Sequence, residues 1–245
     1  MTILWTTDAD NTLWDTNSAY ANAQLNLLHA VEEALQIKKE YGDRLQYIRD
    51  LDQRISKLHH LGLRYPTEIL VSALTKRLQG LSSESAVKKS LLEGINHSNN
   101  LAKTLSDEFK KQSEITPPLR EGVLEGLKEL HQQGATIIVA TEGSLNRVKR
   151  HLREHNIEHL ISLCIESPKS RALYERIAKL HQDKEAWSIG DQITRDIQPA
   201  VEAGFRSIYF PGGFNPFWQE LATNAADTTT VSNYKAGVET ALRQS

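Results

Sequence analysis

The sequence predicts an α/β protein, a doubly wound parallel sheet into which an all-helical domain is inserted. Three observations predict it. A β-rich start, Ile3-Leu4-Trp5-Thr6-Thr7, runs straight into Asp8-Ala9-Asp10-Asn11-Thr12. From about Asp15 to about Ile115 the apolar residues recur at helical spacing. From Thr116-Pro117-Pro118 onward, helices alternate with short β-branched runs, the pattern of strands covered on both faces. The first strand and the last segment therefore belong to one domain, residues 1–14 and 116–245. Residues 15–115 form a helical insertion, too long to be a loop.

Within the insertion, Leu25, Leu28, Val31 and Leu35 make one stripe, and Leu45, Ile48, Leu51, Ile55 and Leu58 a second. Ile69, Leu70, Ala73, Leu74 and Leu78 make a third, and Leu101, Leu105 and Phe109 a last one. Gly42, Gly62-Leu63-Arg64-Tyr65-Pro66 and Gly80 mark the breaks. Beyond the insertion, a helix over 120–133 stops at Gly134, and 135–140 is too short and too rich in Ile and Val for a helix. Helices over about 144–155, 170–181 and 193–203 then alternate with strands over 160–165, 186–189 and 207–210.

Composition narrows the function. Of 245 residues, 39% are hydrophobic, and the 13 glycines bring the apolar share near the globular norm. A disordered chain is thereby excluded. With 29 basic against 31 acidic residues and no basic run, neither a nucleic acid nor a membrane surface is an expected partner. The single Cys164 leaves no disulfide framework and no multi-cysteine metal site. No secretory leader is evident, and no apolar run approaches the ~20 residues of a membrane span, so the expected location is the cytoplasm.

In an open parallel sheet, ligands bind beyond the carboxyl ends of the strands. Asp8, Asp10 and Thr12 come after the first strand, and Thr141, Glu142 and Gly143 come after 135–140. Lys169 lies beyond the next strand, and Gly190-Asp191 beyond 186–189, with Asp196 five residues later. Asp8 and Asp10, two apart in extended chain, can converge, and crowded carboxylates call for a hard divalent cation; Mg²⁺ is the natural occupant. One carboxylate could attack phosphorus while the other protonates the leaving oxygen and later activates water. Thr141, with the N–H groups opening the next helix, would hold phosphate oxygens, and Lys169 would neutralise developing charge.

These residues resemble the motifs of the haloacid dehalogenase superfamily, in its phosphatase branch. The first motif stands as Thr7-Asp8-Ala9-Asp10-Asn11-Thr12-Leu13 and the second as Ile137-Ile138-Val139-Ala140-Thr141. The third stands as Lys169-Ser170-Arg171-Ala172-Leu173-Tyr174 and the fourth as Gly190-Asp191-Gln192-Ile193-Thr194-Arg195-Asp196. The resemblance implies a Rossmann-like core in which Asp8 is the nucleophile and Asp10 the general acid and base. It implies that Asp8, the backbone carbonyl of Asp10, and Asp191 bind Mg²⁺, with Asp196 in support. It also implies that Thr141 and Lys169 bind the phosphoryl group, and that the helical insertion is a cap. Glu142, beside Thr141, is taken with the phosphate-binding group, and Thr12 with the supporting residues. The expected activity is removal of phosphate from a small phosphomonoester. Two positions depart from the family pattern: Asn11 stands where many members have Gly, and Ser170 where Pro often comes after the lysine.

Several features read more simply. His59-His60 is a solvated pair, Cys164 a core residue, and Phe214, Phe217 and Trp218 packing residues. Arg49, Arg54, Arg64 and Tyr65 are candidates to meet substrate from the insertion. A phosphotransferase or phosphomutase would use the same acyl phosphate, and the sequence does not separate these from a hydrolase. A dehalogenase needs no second acid, so Asp10 counts against it. A receiver domain would carry its acids, Thr and Lys in another order and lack a large helical insertion. A non-catalytic binding protein on the same fold is disfavoured because every motif residue is present.

Overall fold

In the computed structural model, which describes residues 2–95, 100–213 and 228–244, the chain divides into two compact units. One comprises residues 2–17, 116–213 and 228–244, the other 18–95 and 100–115.

The first unit is built on six parallel strands: β1 (Thr2–Thr7), β2 (Thr136–Thr141), β3 (Leu163–Glu166), β4 (Lys184–Gly190), β5 (Arg206–Tyr209) and β6 (Thr228–Thr230). Their order across the sheet is β3-β2-β1-β4-β5-β6. β1 pairs with β2 through Trp5 opposite Ile137 and with β4 through Trp5 opposite Trp187. The strand order reverses at β1 and β4, so the crevice beyond their carboxyl ends is where a ligand is expected.

Side chains of a strand alternate between faces, and both faces here are apolar. Ile3, Trp5, Ile137, Val139, Trp187 and Ile189 share one core with α6 (Val123–Gln132), α7 (Leu145–Glu154) and α10 (Tyr234–Gln244). Leu4, Ile138 and Ala140 pack on the other face with α8 (Arg171–Lys179) and α9 (Gln198–Glu202). The sheet is thus doubly wound, as expected.

Some elements differ in detail. The expected strand over 160–165 begins as a 3-10 turn, Glu158–Leu160, and only then becomes β3. β3 is an edge strand with one neighbour, and its Leu163 is half exposed. The expected helix over 193–203 is a π-turn, Ile193–Ile197, leading into the short α9. β6 and α10 lie beyond the last strand read from the sequence.

The second unit is helical: α1 (Thr16–Leu35, which begins in the first unit), α2 (Arg44–Leu58), α3 (Thr67–Leu78), α4 (Ser83–Glu93) and α5 (Asn100–Ser113). Leu28, Val31, Ile48, Leu51, Ile55, Leu70 and Leu74 close its core. α4 had no apolar stripe to announce it, since Ser90 takes one of its buried positions beside Ala86 and Val87. Ser82 caps its start by accepting from the Ser85 N–H, and Gly94 ends it. Among the described residues, no helix is long and apolar enough to cross a membrane.

Candidate active site

At the end of β1, the Asp8 N–H still donates to the Ile189 carbonyl at 3.0 Å, holding the residue against β4. The chain then turns over, with the Leu13 N–H donating to the Ala9 carbonyl at 2.8 Å. Asn11 takes a φ of +58° in this turn. That region favours Gly and tolerates Asn, which accounts for one departure from the family pattern. Ser170 accounts for itself as well, as the N-cap of α8 accepting from the Leu173 N–H.

Asp8 is buried, and each carboxylate oxygen has a partner. Thr12 Oγ1 donates to Oδ2 at 3.0 Å, and the Lys169 ammonium pairs with Oδ1. The same ammonium pairs with Asp196, which also accepts from the Gln192 N–H at 2.8 Å. The π-turn brings Asp196 there, and such turns recur at functional sites. Thr141 is buried at the end of β2, its Oγ1 accepting from the Gly143 N–H at 2.9 Å.

Glu142 uses its carboxylate as a brace, accepting from the Lys169 N–H at 3.0 Å and from Arg195 Nη1 at 2.8 Å. Phosphate holding at this position would therefore fall to its backbone N–H. Asp10 is held away from the other carboxylates. Its Oδ1 accepts from Trp14 Nε1 and Thr16 Oγ1, each at 3.0 Å, and its Oδ2 pairs with Arg147.

Asp8, Asp191 and Asp196 are all buried, and one carboxylate oxygen of each lies within 4.8 Å of the others. Two glycines make this crowding possible. A Cβ at Gly190 would lie 2.2 Å from the Asp196 Cβ, and one at Gly212 would lie 2.4 Å from Asp191 Oδ2. Three carboxylates crowd against the Lys169 ammonium, with the Arg120 guanidinium also acting on Asp191, which leaves negative charge in excess among the described residues.

The crowding shifts the proton affinities of these groups. Burial pushes the Asp8 carboxyl up, Lys169 opposes that, and Asp196 adds to it. Asp191 is pushed up by burial and then by Asp8 and Asp196. Burial pulls Lys169 down, but Asp8 and Asp196 outweigh it and hold the ammonium well above its usual range. Asp191 Oδ1 is buried without a hydrogen-bond partner among the described residues. An all-oxygen donor set, an excess of negative charge and an unsatisfied carboxylate oxygen together fit a hard divalent cation.

All eight candidate site residues thus stand at this edge: Asp8, Asp10, Thr12, Thr141, Glu142, Lys169, Asp191 and Asp196. Sequence reasoning missed Arg120, Arg147 and Gly212. Arg120 donates to the Phe210 and Pro211 carbonyls at 3.2 and 2.7 Å, bonds the Asn11 carbonyl, and lies 3.3 Å over the Phe210 ring. It ties the first turn to the loop that carries Gly212. Neither arginine lies in a motif, and no local pattern marks them.

The simpler readings stand differently. Cys164 is half-buried against the core, and burial pushes its thiol up. The His59 and His60 rings stack at 4.3 Å where α2 ends. Within the helical unit, Arg54 pairs with Asp50 at 2.6 Å and Tyr65 bonds the buried Asp52. Phe214, Phe217 and Trp218 lie outside the described residues.

Comparison with known proteins agrees with the fold. The structure resembles that of the hydrolase YfnB from Bacillus subtilis, solved bound to magnesium, with a TM-score of 0.62 and 17% identity over 98% of both chains. It also resembles a predicted phosphoglycolate phosphatase from Haemophilus somnus, with a TM-score of 0.60 and 16% identity over 98% of both chains. A 2-haloacid dehalogenase from Pseudomonas syringae gives a TM-score of 0.51 and 21% identity over the whole of both chains. No curated protein sequence matches. A family model, described as haloacid dehalogenase-like hydrolase, matches residues 6–204, from the first strand past the last motif. The chain belongs to the haloacid dehalogenase-like hydrolases.

Proposed function

We propose that this hydrolase is a Mg²⁺-dependent phosphatase that acts on a small phosphomonoester through an aspartyl-phosphate intermediate. The observation that carries the reading is the second acid. Asp10 stands two residues from Asp8, held by donors of its own and separate from the buried carboxylate group. A dehalogenase has no leaving oxygen to protonate, so it would have no use for that residue.

In the proposed cycle, an Asp8 carboxylate oxygen attacks phosphorus and the bond to the leaving oxygen breaks. Asp10 gives that oxygen its proton. Water then attacks the aspartyl phosphate, its proton passes to Asp10, and the phosphorus–oxygen bond to Asp8 breaks, restoring both residues. Thr141 and Lys169 hold phosphoryl oxygens, and Glu142 and Asp196 keep Lys169 in place. Asp8, the backbone carbonyl of Asp10, and Asp191 would hold Mg²⁺, with Asp196 beside them; the ion's contribution there is to neutralise charge. The helical unit acts as a cap that restricts access, which is why the substrate is small. A cytoplasmic location, and the absence of nucleic-acid and membrane partners, complete the proposal. Transfer of the phosphoryl group to a second substrate remains the alternative fate of the same intermediate.

A panel of phosphomonoesters, assayed with Mg²⁺ and with chelator, tests this. Release of inorganic phosphate that requires the metal is the expected result. Halide release from a haloacid without phosphate release from any ester would overturn it.

A further inference from the structure

The proposed cycle asks Asp10 to hold a proton on one oxygen and deliver it to a defined place. The structure shows which oxygen is free to do so. Oδ1 is already taken by two donors, Trp14 Nε1 and Thr16 Oγ1, each at 3.0 Å. Both come from the stretch just after β1, and a proton on Oδ1 would have to displace one of them. Oδ2 has a single partner among the described residues, the Nη2 of Arg147 on α7.

Arg147 is placed at some expense to its own hydrogen bonding. Its Nε is buried without an acceptor among the described residues, an exception that calls for a reason. The close approach also depends on Gly143. A Cβ there would lie 2.8 Å from Arg147 Nη2, 3.3 Å from Thr141 Oγ1 and 3.4 Å from Asp10 Oδ2. The guanidinium, the second-motif hydroxyl and the second acid thus all border the space over Gly143. α7 reinforces the arrangement, because the rings of its His151 and of His155 at its end pack on Trp14 at 5.1 and 6.5 Å between centroids.

We infer that Arg147 is the positioning residue of the proposed acid–base step: it orients the Asp10 carboxyl through Oδ2, the oxygen that passes the proton to the leaving group. This rests on the phosphatase reading above. In the first half-reaction the Oδ2–H bond breaks as the leaving oxygen gains the proton, and the Asp10 carboxylate left behind pairs again with Arg147. In the second half, Oδ2 takes a proton from the attacking water. The guanidinium remains charged throughout and exchanges no proton.

The test compares an alkyl phosphate, whose leaving oxygen needs a proton, with 4-nitrophenyl phosphate, whose leaving group does not. Phosphate release by the wild type on either ester tests the phosphatase reading first. In Arg147→Met, the single-turnover rate of leaving-group release should fall by about tenfold to 10²-fold more for the alkyl ester than for the aryl ester, with KM little changed. Arg147→Lys, whose ammonium can still reach Oδ2, should recover part of that loss. Lys149→Met, an exposed change on the same helix, controls for the folding of α7. An equal fall on both esters in a folded variant would overturn the inference. So would a rise in KM at constant kcat, which would make Arg147 a substrate-binding group.

Discussion

Asp8 has neighbours that pull its charge in opposite directions. Lys169 and Thr12 favour the carboxylate, while burial and Asp196 disfavour it. The proposed nucleophile needs the ionised form, so that role depends on Lys169 and Thr12 being in place. Asp8→Asn keeps the shape and the Thr12 contact but cannot attack phosphorus. Turnover is expected to drop to background while the circular dichroism spectrum is unchanged. Asp10→Asn is expected to lose about 10²-fold or more, the scale of general acid–base catalysis, because the amide can neither give nor take the proton. Retention of most activity in a folded Asp8→Asn variant would remove that residue from the role.

At the scale of elements, the π-turn Ile193–Ile197 does the most specific work. Its wide coil places Asp196 against both Lys169 and the Gln192 N–H, over a glycine whose Cβ would collide with it. Deleting the exposed Thr194 should convert the turn to an α-helical one and rotate the residues after it by about 100°. Asp196 would then leave the cluster, and Lys169 would lose one of its two carboxylates. The expected outcome is a folded protein with strongly reduced turnover and weaker Mg²⁺ binding, read by activity and by calorimetric titration. Unchanged metal affinity would show that the turn does not position the site.

For the whole molecule, the crowded carboxylates are a cost to stability that a bound cation is expected to offset. Asp8 and Asp191 keep their protons to higher pH in the folded chain than in the unfolded one, where the ordinary value is 3.8. Between that value and the raised ones, the unfolded chain binds fewer protons than the folded chain. Stability is therefore full below the ordinary carboxylate range and falls as pH rises through the raised values. In chelator, thermal scans should show Tm declining over this window. Mg²⁺ should flatten the decline and raise Tm, by roughly 2.7 kcal/mol of stabilisation at a hundredfold excess over Kd. Asp191→Asn should melt above the wild type in chelator, increasingly so as pH rises, yet gain less from Mg²⁺ and be nearly inactive. A wild-type curve indifferent to millimolar Mg²⁺ would speak against the site. The proposed cap has its own test at this scale. Replacing residues 18–115 by a short linker should impair a specific substrate more than a small aryl phosphate, and equal loss in a folded variant would contradict that division of labour.

Local pattern by itself determined five of the sheet's six described strands, the helical insertion and the eight candidate site residues after the strands. Strand periodicity and turn chemistry are short-range properties, and the carboxyl end of a parallel strand is a position that can be read from the chain. Local pattern was weaker where propensity is shared. α4 buries Ser90 in place of a larger apolar residue, and the 193–203 segment reads as one helix although its first turn is π. Only the tertiary structure decided that Glu142 braces Lys169 and Arg195, that Arg120 and Arg147 enter the site, and that Gly190 and Gly212 leave room for Asp196 and Asp191. Most of those depend on which groups from separate segments meet, at separations of up to 137 residues for Arg147 and Asp10. No local periodicity carries information across such a distance, whereas packing onto one sheet edge does.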